Sequence, residues 1–356
     1  MNWLFNFSAS PAGGGLVRLR ETAKWFDGHG GATFLVHAKA LEAVSRYSNC
    51  NRHIGIQPDK LRRLFADGNY LPGVIRQIGV PDVYFSYGIP LFYSVARINW
   101  LHVSNALTLT RDRYGMPFRR HFEHQLLGKR LVRSLKHAHI ASAESEFALG
   151  LLRMAKGNTG SVNKYVVIDN GCADDLFDRQ ECGVQVEPSS YAVTIGTAPY
   201  KRLEQALAVF GALQRSHPSL DRFKVVGDRS QIPRKVLRDG RVDALGSGIE
   251  SQELYSMLER AKYYISTSGI ENSSVAATEA MLLCENVVLS NIPSHREAVR
   301  DTEQVELCVS GVGVLIEVIG PRNKKQARPP SWSDVLQRMS DVASEFARSR
   351  CSSKSR

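Results

Sequence analysis

Glu271 and Glu279, two carboxylates with seven residues between them, are the pair in this sequence whose spacing could do chemistry. Ahead of them runs the apolar Tyr263-Tyr264-Ile265, followed by Ser266-Thr267-Ser268-Gly269. The apolar run predicts a short buried strand, and the Ser-Thr-Ser-Gly break predicts a loop. The segment from Ser273 to Cys284 reads as a helix with a serine at its N-cap. Such a helix start presents unpaired N–H groups and the positive end of the dipole, which suits a phosphate. A carboxylate beside it can accept two hydrogen bonds from neighbouring hydroxyls, as in a ribose or hexose diol. The bland alternative leaves Glu271 as a dipole partner and Glu279 as a solvated helix residue.

The elements that must position these groups can be taken in chain order. Residues 1–10 carry Trp3, Leu4, Phe5 and Phe7 and fit a first strand. Gly13, Gly14 and Gly15 then make a Gly-rich turn before a helix pattern from Leu16 to Phe26. A loop of this kind lets backbone approach a phosphate or sugar, although a tight turn without a ligand is the commoner outcome. It is not the dinucleotide fingerprint, because no third glycine stands at the required place. Residues 33–37, 81–87 and 97–102 fit three further strands, and 58–79 reads as helical and rich in Arg and Lys. His102 falls at a strand end, beside Ser104 and Asn105, where ligands of parallel α/β sheets bind. A short helix is expected after His139, then a strand from Lys164 that ends in the Asn170-Gly171 turn, and a polar linker over 179–190.

The second half starts again with strands at 191–196, 223–228 and 242–246, and helices from Glu204 and from Ser251, the latter close to a capping box with Glu253. Asn286–Ser290 fits a last strand, the residues from Trp332 a last helix, and 349–356 a disordered end. Strands alternating with helices imply parallel sheets covered on both faces, once in each half.

The run Glu271 to Glu279 resembles the signature of retaining GT-B glycosyltransferases of the family 4 type. The resemblance extends over most of the chain in ordered places. They are the Asn170-Gly171…Phe177 segment, the strand with Gly196, the Val226-Gly227 turn, the Leu245-Gly246 pair, the two glutamates, and the loop with Pro293 and Glu297. It implies an α/β GT-B fold, two Rossmann-like doubly wound domains facing across a cleft. The expected division is 1–175 for the acceptor-side domain, 176–320 for the nucleotide-sugar domain, and 321–356 for a terminal crossing helix and tail. It also implies roles. Glu271 would face the donor sugar and Glu279 would hold the ribose. The Gly-Phe-Gly usual after the first glutamate is here Asn272, Ser273 and Ser274, which can still supply a cap and donors. An arginine usual after Gly196 is Thr197 here. Lys201, with Arg202 as a rival, would hold the diphosphate, where a fixed cation stabilises the charge that develops on the leaving group. Basic residues at a helix start oppose its dipole, which favours a ligand role over a solvated one. His102 would point at the donor sugar and phosphate, and Gly14 and Gly15 would lie near the donor. The reaction implied is transfer of a hexose from a nucleoside-diphosphate sugar to a sugar or lipid-linked sugar acceptor, without metal or cofactor, by a front-face mechanism. Bacterial polysaccharide or lipopolysaccharide synthesis is the expected setting, by analogy of fold alone. The alternatives are an inverting transferase, a sugar-nucleotide epimerase, or a non-catalytic nucleotide-binding subunit.

Composition narrows the partners. The 356 residues suit two domains, and an apolar fraction of 43% suits packed cores. No run reaches the length of a spanning helix, and Met1–Ser8 lacks the pattern of a signal peptide. Six cysteines at 50, 172, 182, 284, 308 and 351 show no C-x-x-C, so a cytoplasmic, reduced protein is expected. The net charge of +11 attracts anions. Its densest stretch, 111–139, interleaves Arg and Lys with Phe118, Phe122 and Leu126, and part of it has helical periodicity. A basic amphipathic helix can lie on an anionic membrane, or simply be the wet face of a packed helix. Nucleic-acid binding is not expected, since no recognised module is present.

Overall fold

A computed structural model describes residues 1–57, 70–156, 162–181, 189–300, 305–309, 312–320 and 329–352. The chain divides into two compact units. One comprises Met1–Arg111, Arg119–Gly171 and Pro330–Arg356, and the other Asp112–Phe118 and Cys172–Pro329.

The first unit is built on strands β1 (Trp3–Phe7), β2 (Thr33–His37), β3 (Arg52–Ile56), β4 (Val83–Tyr87), β5 (Ile98–Val103), β6 (Ile140–Ala143) and β7 (Lys164–Val167). They pair in the order β3-β2-β1-β4-β5-β6-β7, all parallel. Central parallel strands are covered on both faces, so every residue of β1, β4, β5 and β6 is buried. Even Asn6 is buried, and it donates to the Tyr70 and Tyr84 hydroxyls at 2.9 and 2.7 Å. Phe5 stacks on Phe34 and on Trp3, with centroids 5.0 and 5.2 Å apart. Burying each such ring contributes about 2–3 kcal/mol.

Two of these strands are absent from the sequence expectation. Arg52–Ile56 is a half-exposed edge strand with little apolar signal. Ile140–Ala143 is built of small residues, yet lies between β5 and β7. The helix after β1 begins at Gly13, three residues ahead of Leu16, and runs to Asp27. The glycines therefore form its first turn and are not a free loop. Of the helix expected over 58–79, Leu71–Ile78 is helical and 58–69 lie outside the described residues.

Arg18, on the helix Gly13–Asp27, is buried and donates to the carbonyls of Ile168 and Asp169 at 3.0 and 2.5 Å. It thereby fixes the chain just before the Asn170-Gly171 turn. Gly171 must be glycine, since a Cβ there would come within 2.5 Å of the Trp332 nitrogen. Trp332 opens the terminal helix Trp332–Ser352, whose Val335, Leu336, Met339 and Phe346 join the core of this first unit. That helix covers 349–352, where disorder was expected; 353–356 lie outside the described residues.

The second unit holds β8 (Tyr191–Ile195), β9 (Arg222–Val226), β10 (Val242–Ala244), β11 (Tyr263–Ser266), β12 (Asn286–Ser290), β13 (Val305–Val309) and β14 (Gly313–Ile319). Their order is β10-β9-β8-β11-β12-β14-β13. Strands β8 to β12 are parallel, but β14 and β13 are antiparallel additions, so the sheet is mixed and Asn286–Ser290 is not its last strand. The helix Asp174–Glu181 occupies the start of the expected linker, of which 182–188 lie outside the described residues. In the helix Ser251–Arg260 the N-cap residue is Glu250 and no side chain caps it, so the expected capping box does not form.

Candidate functional site

In the second sheet the chain runs outward from β8 through β9 to β10, then returns to place β11 on the other side of β8. Ligands of doubly wound sheets bind beyond the carboxyl ends of strands at such a reversal. The loops that leave β8 and β11 are the ones that carry Lys201 and Glu271.

Gly196 ends β8 at φ +96°, and a Cβ there would lie 2.8 Å from Lys201 Cε. The lysine stem thus crosses directly over the glycine. Pro199–Lys201 forms a tight turn, and Arg202 adopts a left-handed conformation, φ +53° and ψ +51°, before the helix Leu203–Ser216. A non-glycine residue in that region is strained, and the neighbouring loop holds it there. Thr267 Oγ1 donates to the carbonyl oxygens of Lys201 and Arg202 at 3.1 and 3.0 Å. The Gly269 N–H donates to Tyr200 O at 2.8 Å. The Arg202 guanidinium lies against Gly269, where a Cβ would meet Nη2 at 2.6 Å. Two loops distant in sequence are therefore stitched into one floor.

Across that floor Lys201 Nζ meets Glu271 Oε1 at 2.6 Å, with 15% and 10% of the two side chains exposed. Burial opposes the lysine charge, but the Glu271 carboxylate, with Tyr200 and Tyr264, more than reverses this and raises its pKa. Ser268 Oγ also donates to Glu271 Oε1, at 2.6 Å. Behind it, Ser290 Oγ donates to Ser268 O at 2.6 Å and lies 3.1 Å from His295 Nδ1. His295 is fully buried, and burial lowers its pKa to about 4 against a raising effect of Glu271. Ser268, Ser290 and His295 were not singled out from sequence. Their one signal is polarity at or just after the ends of apolar strands, with His295 on the short helix Pro293–Ala298 that follows Asn286–Ser290.

The helix after Glu271 is Val275–Leu283, with Ser274 as its N-cap residue. The N-cap residue is a serine, as expected, but Ser274 makes no side-chain cap bond, and its hydroxyl is buried without a partner. Asn272 and Ser273 precede it in the same loop and are partly exposed. One turn in, Glu279 accepts from the Tyr255 hydroxyl at 3.5 Å. Burial raises its pKa to about 7, with Asp175 adding to the rise and Tyr255 opposing it. Gly227, at φ +147°, packs on Thr197, where a Cβ would lie 2.7 Å from Cγ2. So Gly196, Lys201, Arg202, Glu271 and the start of the helix are brought together, with Gly227 against the same loop through Thr197.

The first unit reverses direction between β1 and β4. Gly15 lies at that point, where a Cβ would be 2.8 Å from Ser10 Oγ and 3.2 Å from Tyr87 Cε1; Gly14 faces open space. His102 stands on β5, one strand further on, with no exposed surface. Its Nδ1 lies 2.8 Å from Ser142 Oγ and its Nε2 3.6 Å from Glu144 Oε1. Burial first, then Arg18, lowers its pKa to about 4, against Glu144. The Tyr87 hydroxyl donates to the same Glu144 oxygen at 2.9 Å. The imidazole is thus enclosed by Ser142, Glu144 and a stacked Tyr87 ring 5.3 Å away.

Among the described residues, no three His, Cys, Asp or Glu side chains gather where they could hold a metal ion. No described helix is long and apolar enough to cross a membrane.

No family model matches the chain, and no curated protein matches it. Solved structures do resemble it. The Anabaena protein HepE in complex with UDP-glucose aligns with a TM-score of 0.58 at 16% identity, covering 98% of this chain and 91% of that one. Sucrose-phosphate synthase from Thermosynechococcus elongatus aligns at 0.58 and 13% identity, covering 82% and 81%. A trehalose 6-phosphate synthase from Burkholderia multivorans aligns at 0.53 and 9% identity, covering 85% of each chain. With the two seven-stranded sheets, these likenesses show that the chain has the GT-B fold.

Proposed function

We propose that this protein is a glycosyltransferase that moves a hexose from a nucleoside-diphosphate sugar to an acceptor hydroxyl with retention of configuration. The observation that supports it best is the Lys201–Glu271 pair, held by two cross-linked loops at the reversal point of the second sheet. A cation there suits a diphosphate, and a carboxylate beside it suits sugar hydroxyls.

In this reading Lys201, with Arg202 beside it, meets the diphosphate together with the N–H groups that open the helix Val275–Leu283. The unpartnered Ser274 hydroxyl can donate to the same group, and Asn272 and Ser273 line the loop above it. Glu271 takes hydroxyls of the donor sugar, and Glu279 takes the ribose diol. The bond from the anomeric carbon to the diphosphate oxygen breaks as a bond to the acceptor oxygen forms on the same face. The acceptor proton passes to the leaving diphosphate, and the fixed cation stabilises the charge that builds there. HepE was solved with UDP-glucose, which favours a uridine diphosphate donor. The acceptor is a sugar or a lipid-linked sugar in bacterial polysaccharide or lipopolysaccharide synthesis, on the cytoplasmic side.

The test starts with thermal shifts in UDP, GDP, ADP, TDP and CMP, since a ligand that binds the folded state raises its melting temperature. One nucleoside diphosphate should stabilise the protein, and Glu279→Ala should weaken that effect about tenfold in affinity. With the matching nucleotide sugar, Glu271→Ala should lower kcat with little change in KM. NMR of the product should show the donor's anomeric configuration. Inverted product, or epimerised donor without acceptor, overturns retention; no shift with any nucleotide favours a non-catalytic protein.

A further inference from the structure

The helix Phe118–Ser134 has one face fixed in the first unit and another that nothing covers. On the fixed face, Gly128 sits so close to Thr108 that a Cβ would come within 1.7 Å of its carbonyl oxygen. Leu131 is buried, and Ser134 Oγ accepts from the Leu91 N–H at 2.8 Å. Positions 118, 122, 129 and 133 follow helical spacing on the opposite side. They are Phe118, Phe122, Lys129 and Arg133, and all four are exposed. Phe118 is 70% and Phe122 59% exposed, whereas the other described phenylalanines and tryptophans are buried or half-buried.

Two bare aromatic rings on one face cost solvation free energy unless something covers them in use. The charge around them says what. Arg119 lies beside the rings, and Arg111 and Arg113 lead into the helix, all exposed. Glu123 is the one carboxylate on the helix, and it lies 3.3 Å from Arg119. A second copy of the same face would set these cations against one another. Rings that seat at the acyl boundary with cations among headgroups fit an anionic lipid surface instead.

We propose that this face is a docking surface for anionic lipid bilayers, with Phe118 and Phe122 inserted and Lys129, Arg133 and Arg119 held at the headgroups. It does not depend on the glycosyl-transfer reading. The site is distinct from Lys201 and Glu271, so each proposal can fail without the other.

The experiment is co-sedimentation of the full chain with phosphatidylcholine vesicles, with and without about one third phosphatidylglycerol, at low and high salt. Binding should require the anionic lipid and weaken at high salt. Phe118→Ala with Phe122→Ala should lower the partition coefficient at least tenfold, as should Lys129→Glu with Arg133→Glu. All four side chains are exposed, so thermal melts of both variants should match the parent, as should any nucleotide-induced shift. Absence of binding by the parent at low salt overturns the proposal. So does a phenylalanine variant that binds as the parent does. Two further results also overturn it: loss of a dimer in that variant by sedimentation equilibrium, which would assign the face to a second copy, or phenylalanine-dependent binding of polyuridylate in preference to vesicles, which would assign it to nucleic acid.

Discussion

Both units place polar groups at the carboxyl ends of parallel strands, but they treat them differently. In the second, Lys201 and Glu271 come from different loops, meet at 2.6 Å and keep a little exposed surface. In the first, His102 and Glu144 lie behind Tyr87, and His102 has no exposed surface. The second arrangement leaves an ion pair that an incoming anion can share. The first holds a histidine that burial keeps neutral down to about pH 4. The same topology thus yields an exchangeable charge in one unit and a sealed polar cluster in the other. The difference comes from which loops the strand order brings together.

Breaking the ion pair should have the largest effect. Lys201→Ala strands Glu271 and should cost about 3 kcal/mol in urea unfolding, with most of it restored by Glu271→Ala in the same chain. If the double variant is as unstable as the sum of the singles, the pair is not coupled. In the first unit the corresponding handle is pH. Between about pH 6.5 and 4 an unfolded chain binds a proton that folded His102 does not, so stability falls as pH drops through that window. His102→Gln should remove up to about 2–3 kcal/mol of that slope. Since His295 is lowered to about 4 as well, His295→Gln should flatten the curve of the second unit in the same direction.

Smaller effects sharpen the contrast. Gly196→Ala adds a Cβ at a positive φ against the Lys201 stem and should destabilise by more than about 1 kcal/mol. Gly14→Ala meets open space in the first turn of a helix and should be neutral or stabilise by about 0.5 kcal/mol. Equal costs in thermal melts would mean that the two glycine positions are equally tight. Glu279 has the opposite pH sense from the histidines. Folded Glu279 keeps its proton up to about 7, so stability falls as pH rises from about 4.5 through 7. Glu279→Gln should therefore be the more stable protein at pH 8, by about 1 kcal/mol given partial exposure, and indistinguishable near pH 4.

Much of this architecture is legible from local sequence. Tyr263-Tyr264-Ile265 is apolar because β11 is covered on both faces, and Glu271 follows it after a loop whose composition reads as a break. Fourteen strands lie in the described residues, and those missed from sequence fail for local reasons. Arg52–Ile56 is a wet edge, Ile140–Ala143 has small side chains, and β13 and β14 form an antiparallel pair beyond the repeating pattern. The helix at Gly13 starts earlier than its apolar pattern because glycines can enter a first turn, and Ser274 takes the expected N-cap position without bonding there.

Short stretches of residues specify alternating strands and helices in two halves, with Glu271 and Glu279 on a strand–loop–helix. Apolar runs and turn residues encode that locally. Long-range packing brings Lys201 to Glu271, 70 residues away, lets Thr267 pin the strained Arg202, and seals His102. Those facts depend on β8 lying beside β11, and strand order is set by packing of the whole sheet, which no local run of residues carries.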